Sequence, residues 1–249
     1  MRSPLPWKLV WITGASTGIG REVALQLAAC GVKVAVSARS AEKLEDMGPN
    51  IKPYLLDVTD AQAVANTISK IETELGPIEL ALMGAGTYVP ISMGDIKPEV
   101  FASVMNVNYL GVVNGLAALV PIMRQRGIGH IAWIASVSGY RGLPKAAAYG
   151  PTKAALINLA ESLKPELQTL GIRVSVVNPG FVETPMTKAN DFPMPFLMTP
   201  QAAARRTIEG LARGKFEVAY PTRFVLILKL ARLLPYRVFF WLISHAVLK

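Results

Sequence analysis

The stretch "KLVWITGASTGIGREVALQLAA", residues 8–29, changes character twice. It opens with "KLVWIT", a short apolar run of the length and β-branched content of a buried strand. It closes as a helical pattern from Ile19 to Ala29. Between them lies "TGASTGIG", residues 13–20, with glycines at 14, 18 and 20. Glycine tolerates the backbone angles of a sharp turn and lets a ligand approach the main chain closely. A helix that starts just after such a turn presents unpaired N–H groups and the positive end of its dipole, which suits a pyrophosphate. Position after an opening strand is what gives the glycines this meaning. Their spacing is G-x-x-x-G-x-G rather than G-x-G-x-x-G. No Lys-Ser or Lys-Thr follows, which excludes a Walker P-loop.

The same alternation continues along the chain. "VKVAVSA" reads as a second strand, followed by a short polar helix near residues 41–46. "IKPYLLD", "IELALM", "GHIAWIAS", "IRVSVVN" and "FEVAY" supply strands three to seven. Helical patterns cover residues 61–75, about 100–124 and the segment containing Tyr149. Continuous β-branched strands belong to a sheet covered by helices on both faces. The expectation is an α/β fold, a doubly wound parallel sheet of Rossmann type, in a single domain. Residues 1–214 would form the dinucleotide-binding and catalytic body, with a substrate lid near 186–200 that includes the proline-rich "DFPMPFLMTP". Residues 215–249 would add the final strand and an apolar, basic C-terminal helical extension.

Composition narrows the function classes. Of 249 residues, 51% are hydrophobic and 17% charged, enough for a large core and too apolar for a disordered chain. One cysteine, Cys30, and two histidines, His130 and His245, give no metal-site pattern, so no metal is expected. The net charge is +9, of which +5 lies from Lys215 onward. No basic–aromatic stripe or zinc spacing accompanies it, which argues against nucleic acid as a partner. The N-terminal apolar run ends in a glycine turn rather than a cleavage site. The uncharged segment 100–123 contains Asn106, Asn108 and Asn114, which suit a buried core helix better than lipid. The body is therefore read as cytoplasmic.

The end of the second strand bears on cofactor choice. An acidic residue there would accept hydrogen bonds from an adenosine ribose and repel a 2′-phosphate. The stretch is "SARS", residues 37–40, with no acid. Arg39 can offer a charge-assisted fork to a phosphate, with Ser37 and Ser40 as hydroxyl donors, so NADPH is expected over NADH.

Further motifs follow in order: "LDV" at 56–58, "MGAG" at 83–86, "NYLG" with Asn108, "IASVSGY" with Ser136, "YGPTK" at 149–153 and "NPGFVETPM" at 178–186. In a doubly wound sheet the C-terminal ends of the strands share one crevice, so these segments converge. With the glycine turn, they make residues 8–186 resemble the short-chain dehydrogenase/reductase family. The resemblance implies a catalytic tetrad of Asn108, Ser136, Tyr149 and Lys153. It implies cofactor contacts from Gly14, Ser16, Thr17, Gly18, Ile19 and Gly20, from Asp57 and Val58, from Ala85 and Gly86, and from Pro179, Gly180, Val182 and Thr184. Tyr149 and Lys153 would also touch the cofactor. Tyr149 would exchange the proton, Ser136 would steady the substrate oxygen, and Lys153 would favour the phenolate. Asn108 would hold a water linking Lys153 to solvent. Ser138 rivals Ser136, but the thirteen-residue spacing to Tyr149 favours Ser136. The family's usual Asn-Asn-Ala-Gly is here Met83-Gly84-Ala85-Gly86, so two sheet-bridging asparagines are missing.

The expected activity is reduction of a ketone to a secondary alcohol, or the reverse, on a lipophilic carbonyl substrate. Alternatives are a long-chain 3-keto lipid or 3-oxoacyl reductase and, from other classes, a nucleotide-sensing module or a membrane-associated scaffold. Val137, Leu143, Met186, Phe192, Met194, Phe196 and Leu197 are candidate pocket walls. The tail "RFVLILKLARLLPYRVFFWLISHAVLK", residues 223–249, should divide at Pro235 into two helices. Lys229, Arg232 and Arg237 interrupt its apolar run, so neither piece can span a bilayer. The tail could close the pocket, pack a homo-oligomer, or bind peripherally to a membrane surface at its inner face.

Overall fold

The computed structural model describes residues 5–45, 47–91, 94, 96–189 and 192–247. Seven strands form one parallel sheet in the order β3-β2-β1-β4-β5-β6-β7. They are β1 (Leu9–Thr13), β2 (Lys33–Ala38), β3 (Ile51–Leu55), β4 (Leu80–Met83), β5 (Gly129–Ile134), β6 (Ile172–Pro179) and β7 (Glu217–Tyr220). The helices are α1 (Gly18–Ala29), α2 (Ala61–Leu75), α3 (Pro98–Met105), α4 (Gly111–Arg126), α5 (Gly150–Thr169), α6 (Pro200–Ala212), α7 (Thr222–Leu233) and α8 (Tyr236–Val247). The direction of strand order reverses between β1 and β4, which opens the crevice that such sheets use for ligands.

Each sheet face carries its own core. One packs α2, α4 and α5 against Trp11, Met83, Ile131 and Trp133; the other packs α1 and α6 against Val10, Ile12, Val34, Val36 and Leu82. Strands buried on both faces have no polar side to alternate with, hence their unbroken apolar sequences. Phe224, Val225 and Leu228 of α7 join the first core, so the final helices belong to the same domain.

Two local expectations differ. Residues 41–45 form turns rather than a short helix, and Asp46 lies outside the described residues. The long helix runs from Pro98 to Arg126 but is interrupted by a π turn at Asn106–Leu110. With a mean hydropathy of 1.4 it is long and apolar enough to cross a membrane. Its polar residues are instead used inside the fold: Asn114 donates to the carbonyl of Val58 at 2.9 Å, and Asn108 is fully buried.

Candidate functional site

The segments singled out in the sequence meet at the C-terminal edge of the sheet. Ser136 follows β5 and caps a single 3-10 turn, Val137–Gly139, by accepting from the N–H of Ser138. Gly139 lies against α5 so closely that a Cβ there would fall 2.7 Å from the carbonyl carbon of Lys153. Only glycine permits that approach, which sets Ser136 beside the start of α5. Tyr149 is the residue just before α5, and Pro151 sits in the first turn, where a missing N–H costs nothing. The bond from Lys153 N–H to the Tyr149 carbonyl, 3.2 Å, closes the turn that stacks the two side chains. Lys153 Nζ lies 5.3 Å from the centre of the Tyr149 ring and donates to the Ile134 carbonyl at 2.9 Å. Ser136 and the Tyr149 ring line the same cleft, and Ser136 favours the ionised form of the Tyr149 phenol. The edge of the Tyr88 ring meets that of Tyr149 with centroids 5.3 Å apart.

Asn108 sits in the π turn. Its Oδ1 accepts from Thr87 N–H at 2.7 Å, and its Nδ2 donates to the Thr87 carbonyl at 3.0 Å and to Thr152 Oγ1 at 3.1 Å. The side chain thus ties the loop after β4 to α5. Both amide N–H groups are engaged, and Oδ1, which accepts one of the two hydrogen bonds open to it, keeps one lone pair.

A groove runs from Arg39, past Asp57, Val58, Ala85 and Gly86, to Tyr149 and Lys153. Its other walls are Gly14, Ser16, Thr17, Gly18, Ile19 and Gly20 on one side and Pro179, Gly180, Val182 and Thr184 on the other. Apart from Ser40, every residue expected to touch a dinucleotide therefore borders one of two adjoining clefts that share Gly14, Ser16 and Gly86. Thr17, the cap of α1, makes no side-chain capping bond, so the first-turn N–H groups of α1 are available to an anion. Gly14 has φ +70°, and a Cβ there would lie 2.6 Å from the backbone of Gly84 and Ala85. These features fit a nicotinamide dinucleotide, with the glycine turn at its pyrophosphate.

Residues 8–193 match the family described as short chain dehydrogenase. The chain belongs to that family. An uncharacterized oxidoreductase of Myxococcus xanthus is 34% identical over 93% of this chain and 94% of its own. The 3-oxoacyl-[acyl-carrier-protein] reductase FabG of Escherichia coli is 37% identical over 73% of this chain and 76% of its own. Among solved structures, a short chain dehydrogenase from Burkholderia cenocepacia in complex with NADP superposes with a TM-score of 0.84 at 25% identity, covering 95% of this chain and 97% of that one. This short-chain dehydrogenase is an NAD(P)-dependent oxidoreductase that uses a nicotinamide dinucleotide.

The dehydrogenase compensates for its two missing asparagines. Met83 is buried and its sulfur fills the space left by Gly115, where a Cβ would come within 2.3 Å. Gly84 N–H and Ala85 N–H both reach Thr13 Oγ1, at 3.1 and 3.2 Å. The end of β4 is thus tied to β1 by a threonine hydroxyl. A side chain at 84 would crowd Ile134 Cδ1 at 2.9 Å and the Thr13 carbonyl at 3.1 Å.

Burial and hydrogen bonding set the electrostatics of these groups. Burial pushes the Tyr149 phenol up to about 12; the Ser136 side chain opposes this, and Lys153 is not among the causes. Burial pulls the Lys153 amine down to about 7, because an ammonium is poorly solvated there. Ser37 borders the groove beside Arg39; it is buried, and its oxygen accepts from the Trp11 indole N–H at 3.0 Å. Arg39 is exposed at the groove's end, and it helps hold the Asp57 carboxyl below its usual range, after the larger effect of two hydrogen bonds from Thr59.

Beside the groove lies an apolar cleft that shares Ser136, Tyr149, Gly180, Met186 and Thr187 with it. Val137, Leu143, Met186 and Phe192 line it as expected, whereas Met194, Phe196 and Leu197 do not. Phe196 packs instead on Phe224, with centroids 6.0 Å apart. Tyr88, Pro144, Ala146, Phe181 and Phe224 were not foreseen as walls. Phe181 and Phe224 stack at 5.5 Å, so α7 closes one side of the cleft. Ser138 Oγ is buried without a hydrogen-bond partner. Residues 192–198 return to the body through Met198, which bonds Phe181 and Glu183 and bridges to Val182.

Behind the cleft, the Glu217 carboxylate accepts from Tyr140 at 2.6 Å, from Asn178 at 2.9 Å, and from Lys229. Arg141 donates to the carbonyls of Ala231, Arg232 and Leu234, at 2.7–3.0 Å, where α7 ends. Its guanidinium also lies 4.1 Å from the centre of the Phe239 ring. The loop carrying Ser136 is therefore joined to the C-terminal helices at two points.

Proposed function

We propose that this enzyme reduces a lipophilic ketone to a secondary alcohol with NADPH, or runs the reverse reaction, with Tyr149 as the proton-exchanging group. The observation that carries this reading is that Ser136 and Tyr149 both line the junction of the polar groove and the apolar cleft. Bound in the groove, the reduced dinucleotide supplies a hydride to the carbonyl carbon. Tyr149 Oη then gives its proton to the carbonyl oxygen, and Ser136 Oγ donates a hydrogen bond that steadies the charge forming there. Lys153, buried one turn along α5, is the cation nearest the phenol and would also hold the nicotinamide ribose. Asn108 acts by fixing the π turn against Thr87 and Thr152; a water held by this residue would use the remaining lone pair of Oδ1 or its backbone carbonyl. Arg39, at the open end of the groove with no acid on its strand end, would pair with a 2′-phosphate.

The cleft supports an apolar substrate through Leu143, Phe181, Met186, Phe192 and Phe224. The likeness to a 3-oxoacyl reductase adds a second reading, in which a 3-keto group on a long acyl chain reacts. The test is NADPH consumption with product identification over a panel of aliphatic, aromatic and 3-oxoacyl carbonyl compounds. Activity rising with substrate hydrophobicity is expected. A preference for small polar carbonyls, or no turnover of any of them in either direction, would overturn the reading.

A further inference from the structure

The last two helices present an apolar surface that the fold does not use. Phe224, Val225, Leu228 and Phe239 point inward and fix how α7 and α8 sit on the body. Leu226, Leu230 and Leu233 therefore form a stripe on the outer side of α7, at the four- and three-residue steps of one helix face. Leu233 is 80% exposed. On α8, Tyr236 is 71%, Phe240 58% and Trp241 61% exposed, and the Tyr236 and Phe240 rings stack at 5.7 Å. Scattered single apolar residues on a surface are ordinary, but a run over successive turns of adjoining helices is not.

Charge indicates what covers this surface. Arg223, Arg232 and Arg237 are exposed along the same two helices. No acidic residue follows Glu217, and that carboxylate is taken by Lys229, Tyr140 and Asn178. A second copy docking face to face would bring arginines against arginines with no carboxylate to match them, because a two-fold contact uses the same patch on both sides. An anionic bilayer supplies the missing charge as headgroup phosphates and accepts leucine and aromatic side chains at its boundary. Tyrosine and tryptophan are the residues that favour this depth. Helices of 12 residues each are too short to cross a hydrocarbon core that needs about 20.

We propose that the outer face of α7 and α8 docks the protein on the surface of an anionic lipid bilayer, lying on it without spanning it. Phe224, on the inner side of α7, walls the apolar cleft. Docking would hold the cleft about one helix diameter, ~10 Å, from the lipid. The docking surface does not depend on which carbonyl compound the enzyme turns over.

The experiment is co-sedimentation of the full-length protein with vesicles of phosphatidylcholine, with and without phosphatidylglycerol. Binding to the anionic vesicles is expected, weakening as salt is raised. The double variant Phe240→Ser, Trp241→Ser should weaken it roughly tenfold or more while leaving NADPH binding unchanged. Arg237→Glu should weaken it in low salt. The proposal is overturned if the protein stays in the supernatant with anionic vesicles, if it binds neutral vesicles equally well, or if the double variant sediments like wild type. It is overturned equally if analytical ultracentrifugation shows that the double variant splits a stable dimer, since a second copy would then own this face.

Discussion

Lys153 Nζ donates to the carbonyl oxygen of Ile134 at 2.9 Å, so the end of β5 holds the amine of the helix that follows it. The amine is buried there, and its pKa falls from 10.5 to about 7. Between those values an unfolded chain carries a proton that the folded chain has lost. Stability should therefore rise with pH from about 7 towards 10, by about 1 kcal/mol per pH unit from this group. Urea unfolding of the protein without added cofactor, at pH 7, 8 and 9, should show this slope. Lys153→Met should flatten it; an equal slope in the variant would assign it to another group.

Tyr149→Phe removes one oxygen and keeps the ring that meets Tyr88. Turnover should fall roughly a hundred- to ten-thousand-fold, while dinucleotide affinity measured by calorimetry stays near wild type. Retained turnover would remove Tyr149 from the chemistry.

Arg39→Asp places an anion where a 2′-phosphate partner is proposed. The ratio of kcat/KM for NADPH over NADH should drop by on the order of tenfold or more. An unchanged ratio would mean that another group reads the phosphate.

His130 is buried against Trp7, and its Nε2 lies 2.9 Å from Ser175 Oγ. The Ser175 hydroxyl donates to the Lys215 carbonyl at 2.7 Å, so Nε2 must carry the hydrogen and Nδ1 is left bare. Burial first, and then the Arg173 charge, lower this imidazole from 6.5 to about 3. The unfolded chain takes up a proton between those values and the folded one does not, so stability should be lost as pH falls from about 6.5 towards 3. His130→Gln should unfold with a weaker pH dependence between pH 6 and 4, whatever its stability at pH 7. Identical acid profiles would exclude His130 as the acid-sensitive group.

The parallel sheet was legible because strands such as "KVAVSA" are apolar on both faces, and nothing but a helix-covered sheet buries both. Ser136, Tyr149 and Lys153 were legible because the strand ends bring them to one crevice. The π turn at Asn106–Leu110 was not, since its hydrogen-bond shift follows from packing: Gly111 lies against Val58, where a Cβ would be 2.7 Å from Cγ2. The bond from the Trp11 indole to Ser37 was not legible for a similar reason. The alternation of Ser37 along β2 turns its hydroxyl towards Trp11 on β1, a fact of register rather than of local sequence. Phe224 was also out of reach, because 75 residues separate it from Tyr149 and only the tertiary fold brings both to the cleft.

One guanidinium, that of Arg141, holds the carbonyl end of α7 from a loop that also carries Ser136. The C-terminal helices are thus not an appendage that could be trimmed or exchanged without consequence. A chimera that grafts another relative's tail onto this body would inherit helix-end carbonyls without the side chain that receives them, unless residue 141 travels with the graft. The boundary for any such engineering runs through the loop of Ser136 and Arg141 as well as through the C-terminus.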